Sequence, residues 1–422
     1  MLLWHVLILK KDIKMRFNYE CNDCKNVFET DEVVYQCPIC SKEQEANTFP
    51  KGNLIVKLNK DDLAQLKQKD HVDMYDFFPF DVPDRDVYPV GNTPLARPKR
   101  LAKELGLTNL HCKLDSALPS GSFKDRASQL IAAQAIHYKM DKIALASTGN
   151  AGAAMSCAGA AYGLDIILFV PETAPVNKLM QSVLYDATVV PVKGSYDDAF
   201  ALSIAYTSEF GGINRNTAYN PMTIEGKKSV SIELFEQMGR KVPDVVYVPV
   251  GDGCIFAGVY KGFYDLFEAG LIEKIPHLVC AQSTKSNAIS QAFKNNHFKA
   301  IANASTRADS ISVSTPANGR MAVNYIKASE GWCVEVDDED IITAQLKLTA
   351  KAGIFVEPAA ACAWAALKQD KDHLIKEFGS DVDVCVLLTG TGFKDMAVFE
   401  NRVSIPKAIE NSKAAVIARF KK

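Results

Sequence analysis

The sequence has no long apolar run: nowhere do its 422 residues approach the ~20 consecutive apolar residues of a membrane-spanning helix. No membrane partner is expected. It has no excess of one charge either. Its 48 Lys and Arg face 50 Asp and Glu, for a formal net charge of -2, which removes the electrostatic case for nucleic acid. Internal repeats and low-complexity tracts are absent. So are the nucleotide loops: no Gly-Lys-Ser/Thr follows a glycine-rich turn, and Phe256 stands where a dinucleotide fingerprint beginning at Gly251 needs its third glycine. The opening stretch Leu2 to Leu9 is apolar but lacks a basic lead-in and a small-residue cleavage site, so it does not read as a secretory signal. Met15 reads as the natural start, and residues 1–14 as a non-native or disordered extension.

What is there is a chain of ordinary globular composition, 48% hydrophobic and 23% charged, long enough for two or three domains. Its eleven cysteines fall into two groups. Seven are scattered, mostly in apolar runs, which suits reduced core thiols in a cytoplasmic protein. The other four form Cys21-x-x-Cys24 and Cys37-x-x-Cys40. Two such knuckles let four thiolates meet on one tetrahedral ion; the competing readings are four free cysteines, or a ribbon whose metal is lost. With no open coordination position, a metal here is structural, and residues 15–49 read as a zinc ribbon.

Residues 41–84 are polar, carry Pro and Asp, and read as a linker with a partly ordered approach. From about residue 88, short β-branched runs alternate with small-residue helical stretches. Strands are predicted at Lys142–Ser147, Asp165–Val170, Ala187–Val192, Val245–Val250, His277–Gln282 and Val384–Thr389. Helices are predicted at Ala151–Tyr162, Ala174–Asp186, Asp197–Phe210, Glu225–Met238 and Phe256–Ala269. Buried strands alternating with helices predict an α/β fold with mostly parallel sheets.

Three segments carry chemistry. The strand ending at Val250 runs into Gly251-Asp252-Gly253-Cys254, where free backbone N–H groups and a helix N-terminus can take a phosphate; a plain glycine-rich turn reads the same way. Ser147-Thr148-Gly149-Asn150-Ala151 is a second strand-to-helix turn, able to grip a carboxylate or simply to cap its helix. Lys124 follows Pro119-Ser120-Gly121-Ser122-Phe123 and precedes Asp125-Arg126. At the edge of the interior such a lysine has its pKa lowered and can form a Schiff base; taken alone, a surface lysine explains it as well.

These segments occur together and in this order, with Pro89-Val90-Gly91-Asn92-Thr93-Pro94-Leu95, Phe355-Val356-Glu357-Pro358-Ala359 and Thr389-Gly390-Thr391-Gly392-Phe393-Lys394-Asp395. The set resembles the fold-type-II pyridoxal phosphate enzymes, tryptophan synthase β-like in fold. Within them it resembles the threonine synthase family, over roughly residues 19–400. The resemblance implies two α/β domains beside the ribbon: a large cofactor domain from 50–145 and 211–422, and a small mobile subdomain, 146–210, that closes on a small amino-acid substrate. It implies pyridoxal 5'-phosphate held by Lys124 as a Schiff base, with Phe123 beside it. Asn150 would meet the cofactor's ring oxygen, Gly251, Asp252, Gly253, Cys254 and Ile255 its phosphate, and Thr389 its pyridine nitrogen. A hydroxyl there leaves that nitrogen neutral, which suits elimination and replacement over transamination. The turn from Ser147 through Thr148, Gly149 and Asn150 to Ala151 would hold the substrate carboxylate. A homodimer is implied as well.

The chain departs from the family in places. Threonine synthases commonly carry Asn-Pro-x-Arg-x-Glu-Gly-Gln; here Thr223 takes the arginine position and Lys227 the glutamine position. A hydroxyl does not replace a guanidinium on phosphate. Lys227 or Lys228 restores the charge, or the substrate has no phosphate, or the two lysines are a solvated helix face. Thr391 stands where His is usual, and Ile255 where Asn is. The expected reaction is loss of the γ-phosphate of O-phosphohomoserine and addition of water at Cβ. The alternatives are a β-elimination or β-replacement enzyme, such as a threonine/serine dehydratase or a synthase acting on an activated serine, and a non-catalytic module on a retired scaffold.

Overall fold

The computed structural model describes residues 15–29, 35–400 and 402–421; the extension expected at residues 1–14 lies outside them. Three sheets organise the chain. The first is antiparallel: β1 (Phe17–Cys21) lies between β2 (Val27–Phe28) and β3 (Leu54–Leu58). The second is opened by β4 (Leu95–Ala96) and β5 (Asn109–Leu114). The chain then leaves it to build a third sheet from β6 (Lys142–Ala146), β7 (Asp165–Pro171), β8 (Thr188–Val192) and β9 (Ile213–Asn214). It returns with β10 (Val245–Pro249), β11 (His277–Ser283), β12 (Trp332–Val336) and β13 (Asp383–Leu388). The large sheet runs β12-β11-β10-β13-β5-β4, parallel except for the β4–β5 pair, and the small one runs β8-β7-β6-β9, parallel throughout.

The expected α/β class is therefore what the chain adopts. β10 is buried at every residue because helices cover both faces of its sheet, which is why it reads as an unbroken apolar run and not an alternating one. The small sheet draws on residues 142–214, slightly beyond the 146–210 expected for the smaller unit. Helix Asn150–Tyr162 can lie close on β7 because its contact residue is Gly159, where a Cβ would fall 2.3 Å from Ile166 Cγ1. Among the described residues no helix is long and apolar enough to cross a membrane.

Two expectations are corrected. Residues 41–84 are not a linker: β3 pairs with β1 along its length, helix Lys60–Leu66 follows, and Phe77, Phe78 and Phe80 are buried. The segment's polar residues hid a few large anchors spaced too irregularly to show a period. The single helix expected at Glu225–Met238 is two, Met222–Lys227 and Ser229–Gln237. At the junction Ser231 N–H reaches back only three residues, to Lys228 O, while the Lys228 ammonium is bonded to Glu225 and Asp265.

Candidate active site

Lys124 opens helix Lys124–His137, at the C-terminal edge of the large sheet. The loop before it is stitched to the end of β13: Phe123 N–H donates to Thr389 O at 2.7 Å, and Thr391 N–H to Gly121 O at 3.0 Å. Gly121 has φ +82°, and a Cβ there would fall 2.9 Å from Thr391 Cγ2, so only glycine lets the two segments approach. The Lys124 side chain is half-buried; burial pushes its amine pKa down, partly countered by Glu357 and reinforced by Arg215. A lowered ammonium pKa leaves more of the nucleophilic amine at neutral pH.

Charged neighbours hold this helix in place. Arg126 is fully buried. It donates to Asp115 (Nε–Oδ2 2.6 Å), to Glu233 (Nη1–Oε1 2.7 Å) and to Ser229 (Nη1–Oγ 3.0 Å). Lys113 Nζ joins Glu233 Oε2 at 2.7 Å and Thr93 O at 2.9 Å. Two cations and two carboxylates balance, and the Thr93 of the Pro89–Leu95 motif serves this cluster. On the other side Asp125 accepts from Tyr88 Oη at 2.5 Å and Ser120 N–H at 2.8 Å, and burial pushes its carboxyl up to about 6.

Across the cleft, Ser147 Oγ accepts the N–H groups of Gly149 (3.3 Å) and Gly152 (3.0 Å). The donors left for an anion at this turn are those of Thr148, Asn150 and Ala151. Asn150 Nδ2 donates to Glu357 Oε2 at 3.0 Å, and Ser310 Oγ to the same oxygen at 3.2 Å. Glu357 stood in a recognised motif, but sequence reasoning gave it no role. Here it is buried, pushed upward by that burial, and the strongest opposite charge acting on the Lys124 amine. A cavity of about 300 Å³ opens beside this pair, lined by Gln181 and Lys394 among others. Gln181 Nε2 donates to Ser120 O at 3.0 Å and its carbonyl accepts from Lys394, tying the small unit to the loop before Lys124.

The glycine turn follows β10. Gly253 has φ +88° and caps helix Cys254–Glu268, and a Cβ at Gly251 would fall 2.9 Å from Ile311 Cα. The Asp252 carboxylate accepts from Ala317 N–H at 3.2 Å, and Asp252 O from Asn318 N–H at 2.9 Å; burial pushes the carboxyl pKa up, with Lys124 and Lys227 opposing. Ile255 follows in the helix's first turn.

Lys227 and Lys228 are both fully buried, so neither belongs to a solvated face. Lys228 is spent on Glu225 and on Asp265 (2.8 Å) and is structural. Lys227 Nζ has no hydrogen-bond partner among the described residues. Burial pushes it down to about 7, with Cys254 opposing and Arg215 and Lys124 reinforcing. Thr223 is buried and its hydroxyl donates to Asn220 O at 2.8 Å, so it offers nothing to a phosphate.

Arg215, which sequence reasoning missed, lies in the same cluster. It is fully buried, donates from Nη1 to Thr217 Oγ1 at 2.7 Å, and has no partner for Nε or Nη2 among the described residues. One charge between two asparagines carries no motif, so its only signal was an arginine placed just after a strand. An unpaired buried lysine, Lys227, against the helix that follows a glycine turn is what a phosphorylated cofactor needs, and the Lys124 amine acts on it. The residues fit pyridoxal phosphate.

The four cysteine sulfurs of the ribbon lie within 4.8 Å of one another, with Cys24 Sγ and Cys37 Sγ 3.8 Å apart. A tetrahedral zinc with bonds of about 2.3 Å requires sulfur separations of roughly 3.8 Å. The donor set fits a structural metal. The ribbon also reaches the loop that bonds to the glycine turn: Asn22 N–H donates to Asn53 O at 2.9 Å, and Asn53 Nδ2 donates to Ala317 O at 2.9 Å and Asn318 Oδ1 at 2.8 Å.

Residues 87–390 match the family model for the pyridoxal-phosphate dependent enzymes. The chain is 32% identical over 386 residues to the threonine synthase of Methanocaldococcus jannaschii, covering 89% of this chain and 92% of that protein. To the threonine synthase of Halalkalibacterium halodurans it is 34% identical over 334 residues, covering 78% and 91%. Among solved structures, the processed form of threonine deaminase isoform 2 from Solanum lycopersicum aligns with a TM-score of 0.63 at 19% identity, covering 75% of this chain and 88% of that one. That last likeness is one of fold.

Proposed function

The chain belongs to the threonine synthase family of pyridoxal-phosphate dependent enzymes, and from that premise we propose that it converts O-phosphohomoserine and water to threonine and inorganic phosphate. The observation that carries this is the grouping of the Lys124 amine with the Asn150–Glu357 pair, and of the unpaired Lys227 against the helix that follows the glycine turn. When bound, the cofactor supplies the electron sink for carbanion chemistry.

In this reading Lys124 holds the cofactor and then moves the proton at the substrate Cα, its lowered pKa leaving the amine free to accept it. Phe123 packs beside the cofactor, Asn150 faces its ring oxygen, residues 251–255 cradle its phosphate, and the Thr389 hydroxyl faces its ring nitrogen. The free N–H groups of Thr148, Asn150 and Ala151, on the turn set by Ser147 and Gly149, take the substrate carboxylate. Lys227 adds charge behind that phosphate cradle. Residues 146–210 form the mobile unit that closes against 50–145 and 211–422, the ribbon at 15–49 holds zinc, and the enzyme works as a cytoplasmic homodimer.

A β-elimination or β-replacement reaction on an unphosphorylated substrate is the second reading, favoured by the Thr223 hydroxyl being committed to Asn220 O. Steady-state assays with O-phosphohomoserine, threonine and O-phosphoserine separate the two. Turnover of threonine to a ketoacid without turnover of O-phosphohomoserine would refute the leading reading.

A further inference from the structure

We propose that Arg215 binds the distal phosphate of the substrate, and that Lys227 is left to the phosphate of the cofactor. The identity of the substrate rests on the preceding reading; the anion site itself rests on geometry.

The fold shows what it does with a buried arginine that has only a structural task. Arg126 has two carboxylates, and each of its three nitrogens is bonded. Arg215 is equally buried and receives one threonine hydroxyl. Among the described residues no carboxylate touches it. The two nitrogens left over, Nε and Nη2, point their N–H bonds along the same edge of the planar guanidinium. Two parallel donors on one edge match two oxygens of a phosphate or carboxylate. A water pair would satisfy the hydrogen bonds but not the charge, so the missing partner is an anion.

The position separates this anion from the cofactor's. Lys227 packs against helix Cys254–Glu268: a Cβ at Gly258 would lie 2.5 Å from Lys227 Cβ. Lys227 therefore serves the glycine turn. Arg215 hangs from the other sheet. Its N–H donates to Ala144 O at 2.9 Å, and Asn216 Oδ1 accepts from Ala146 N–H at 2.7 Å, the residue before Ser147. The arginine is thus built into the frame that presents the 147–152 turn to the substrate. An amino acid held there by its carboxylate carries any phosphate ester at its far end, and Arg215 is the bidentate cation available on that frame.

The test uses holoenzyme, with inorganic phosphate as probe, and the variants Arg215→Gln, Arg215→Lys and Lys227→Gln. Arg215→Gln is expected to keep its cofactor, read as visible absorption after dialysis. It is expected to raise KM for O-phosphohomoserine and weaken inorganic phosphate roughly 100-fold, with Arg215→Lys intermediate. Without phosphate, Arg215→Gln is expected to melt no lower than the wild type, since an unpaired buried charge has been removed, and phosphate is expected to stabilise only the wild type. Lys227→Gln is expected to shed cofactor while its reconstituted form still binds phosphate. The proposal is overturned if Arg215→Gln loses cofactor, melts lower, or binds phosphate like the wild type. If the wild type turns over threonine and not O-phosphohomoserine while phosphate binding still requires Arg215, the reaction assignment fails and the anion site stands. If O-phosphohomoserine is turned over equally well by Arg215→Gln, the anion site fails and the reaction assignment stands.

Discussion

Replacing Glu233 by Gln probes the cluster that fixes the start of the Lys124 helix. The carboxylate accepts from Arg126 through both oxygens (2.7 and 3.0 Å) and from Lys113 at 2.7 Å. Glutamine keeps the shape but leaves the two buried cations facing one carboxylate, Asp115, and turns an amide N–H₂ toward a donor. Breaking a buried pair in this way costs about 3–5 kcal/mol. The titration of Glu233 leads to a similar figure. Burial alone would raise its pKa, but Arg126 and Lys113 outweigh burial and hold it at about 2, against 4.5 in the unfolded chain. That depression is worth about 3 kcal/mol. Because the folded pKa lies below the unfolded one, the stabilisation is fully present above about pH 4.5 and is lost as pH falls toward 2. Urea unfolding of the holoenzyme at pH 7 is the assay, repeated in steps down to pH 3.5. Glu233→Gln is expected to lose about 3 kcal/mol at pH 7 and to show a shallower decline with acid than the wild type. A variant within 1 kcal/mol of the wild type at pH 7, or one with an unchanged acid limb, would refute the reasoning.

Lys124→Ala is expected to lose the visible absorption of the bound cofactor and at least ~10³-fold in turnover; a spectrum and steady-state kinetics check both. Elemental analysis is expected to find one zinc per chain, and Cys37→Ser to remove it and lower the melting temperature. Gly226→Ala would place a Cβ 2.5 Å from Arg126 O and 2.8 Å from Ala127 Cα, both backbone atoms. The overpacking costs about 3 kcal/mol and helix propensity returns ~1, so a net loss near 2 kcal/mol is expected in urea unfolding. Asn53→Ala removes the two bonds that join the ribbon to the Ala317–Asn318 loop behind the glycine turn; it is expected to raise the dissociation constant of the cofactor severalfold, measured by absorbance titration, with zinc retained.

The parallel strands were legible because burial on both faces writes β10 and β13 as continuous apolar runs, and their ends fall within a residue or so of those expected. The turns at 147–151 and 251–255 were legible because strand, glycine and helix cap follow in order. Residues 41–84 were not, since Phe77, Phe78 and Phe80 bury themselves without a repeating pattern. The charges were the least legible part. Lys227, Lys228 and Arg215 read alike as cations, and only tertiary packing distinguishes one paired with two carboxylates from two with empty donors. Glu357 and Arg126 sat inside motifs, yet their roles depend on partners up to 207 residues away.

The place of β13 has a bearing on how the molecule is made. It is the last strand among the described residues, yet it lies between β10 and β5, in the middle of the large sheet. During synthesis the strands from β6 to β9 can close their own sheet as soon as residue 214 has emerged. The large sheet meanwhile waits with a gap one strand wide, its two inner edges unpaired and open to other chains. Residues 383–388 fill that gap, and the next residue, Thr389, supplies the carbonyl that anchors the loop before Lys124. Closure of the sheet and anchoring of the loop that carries Lys124 are therefore one late event. A ribosome stalled short of residue 383 holds a chain with neither, which gives quality control a clear signal to read.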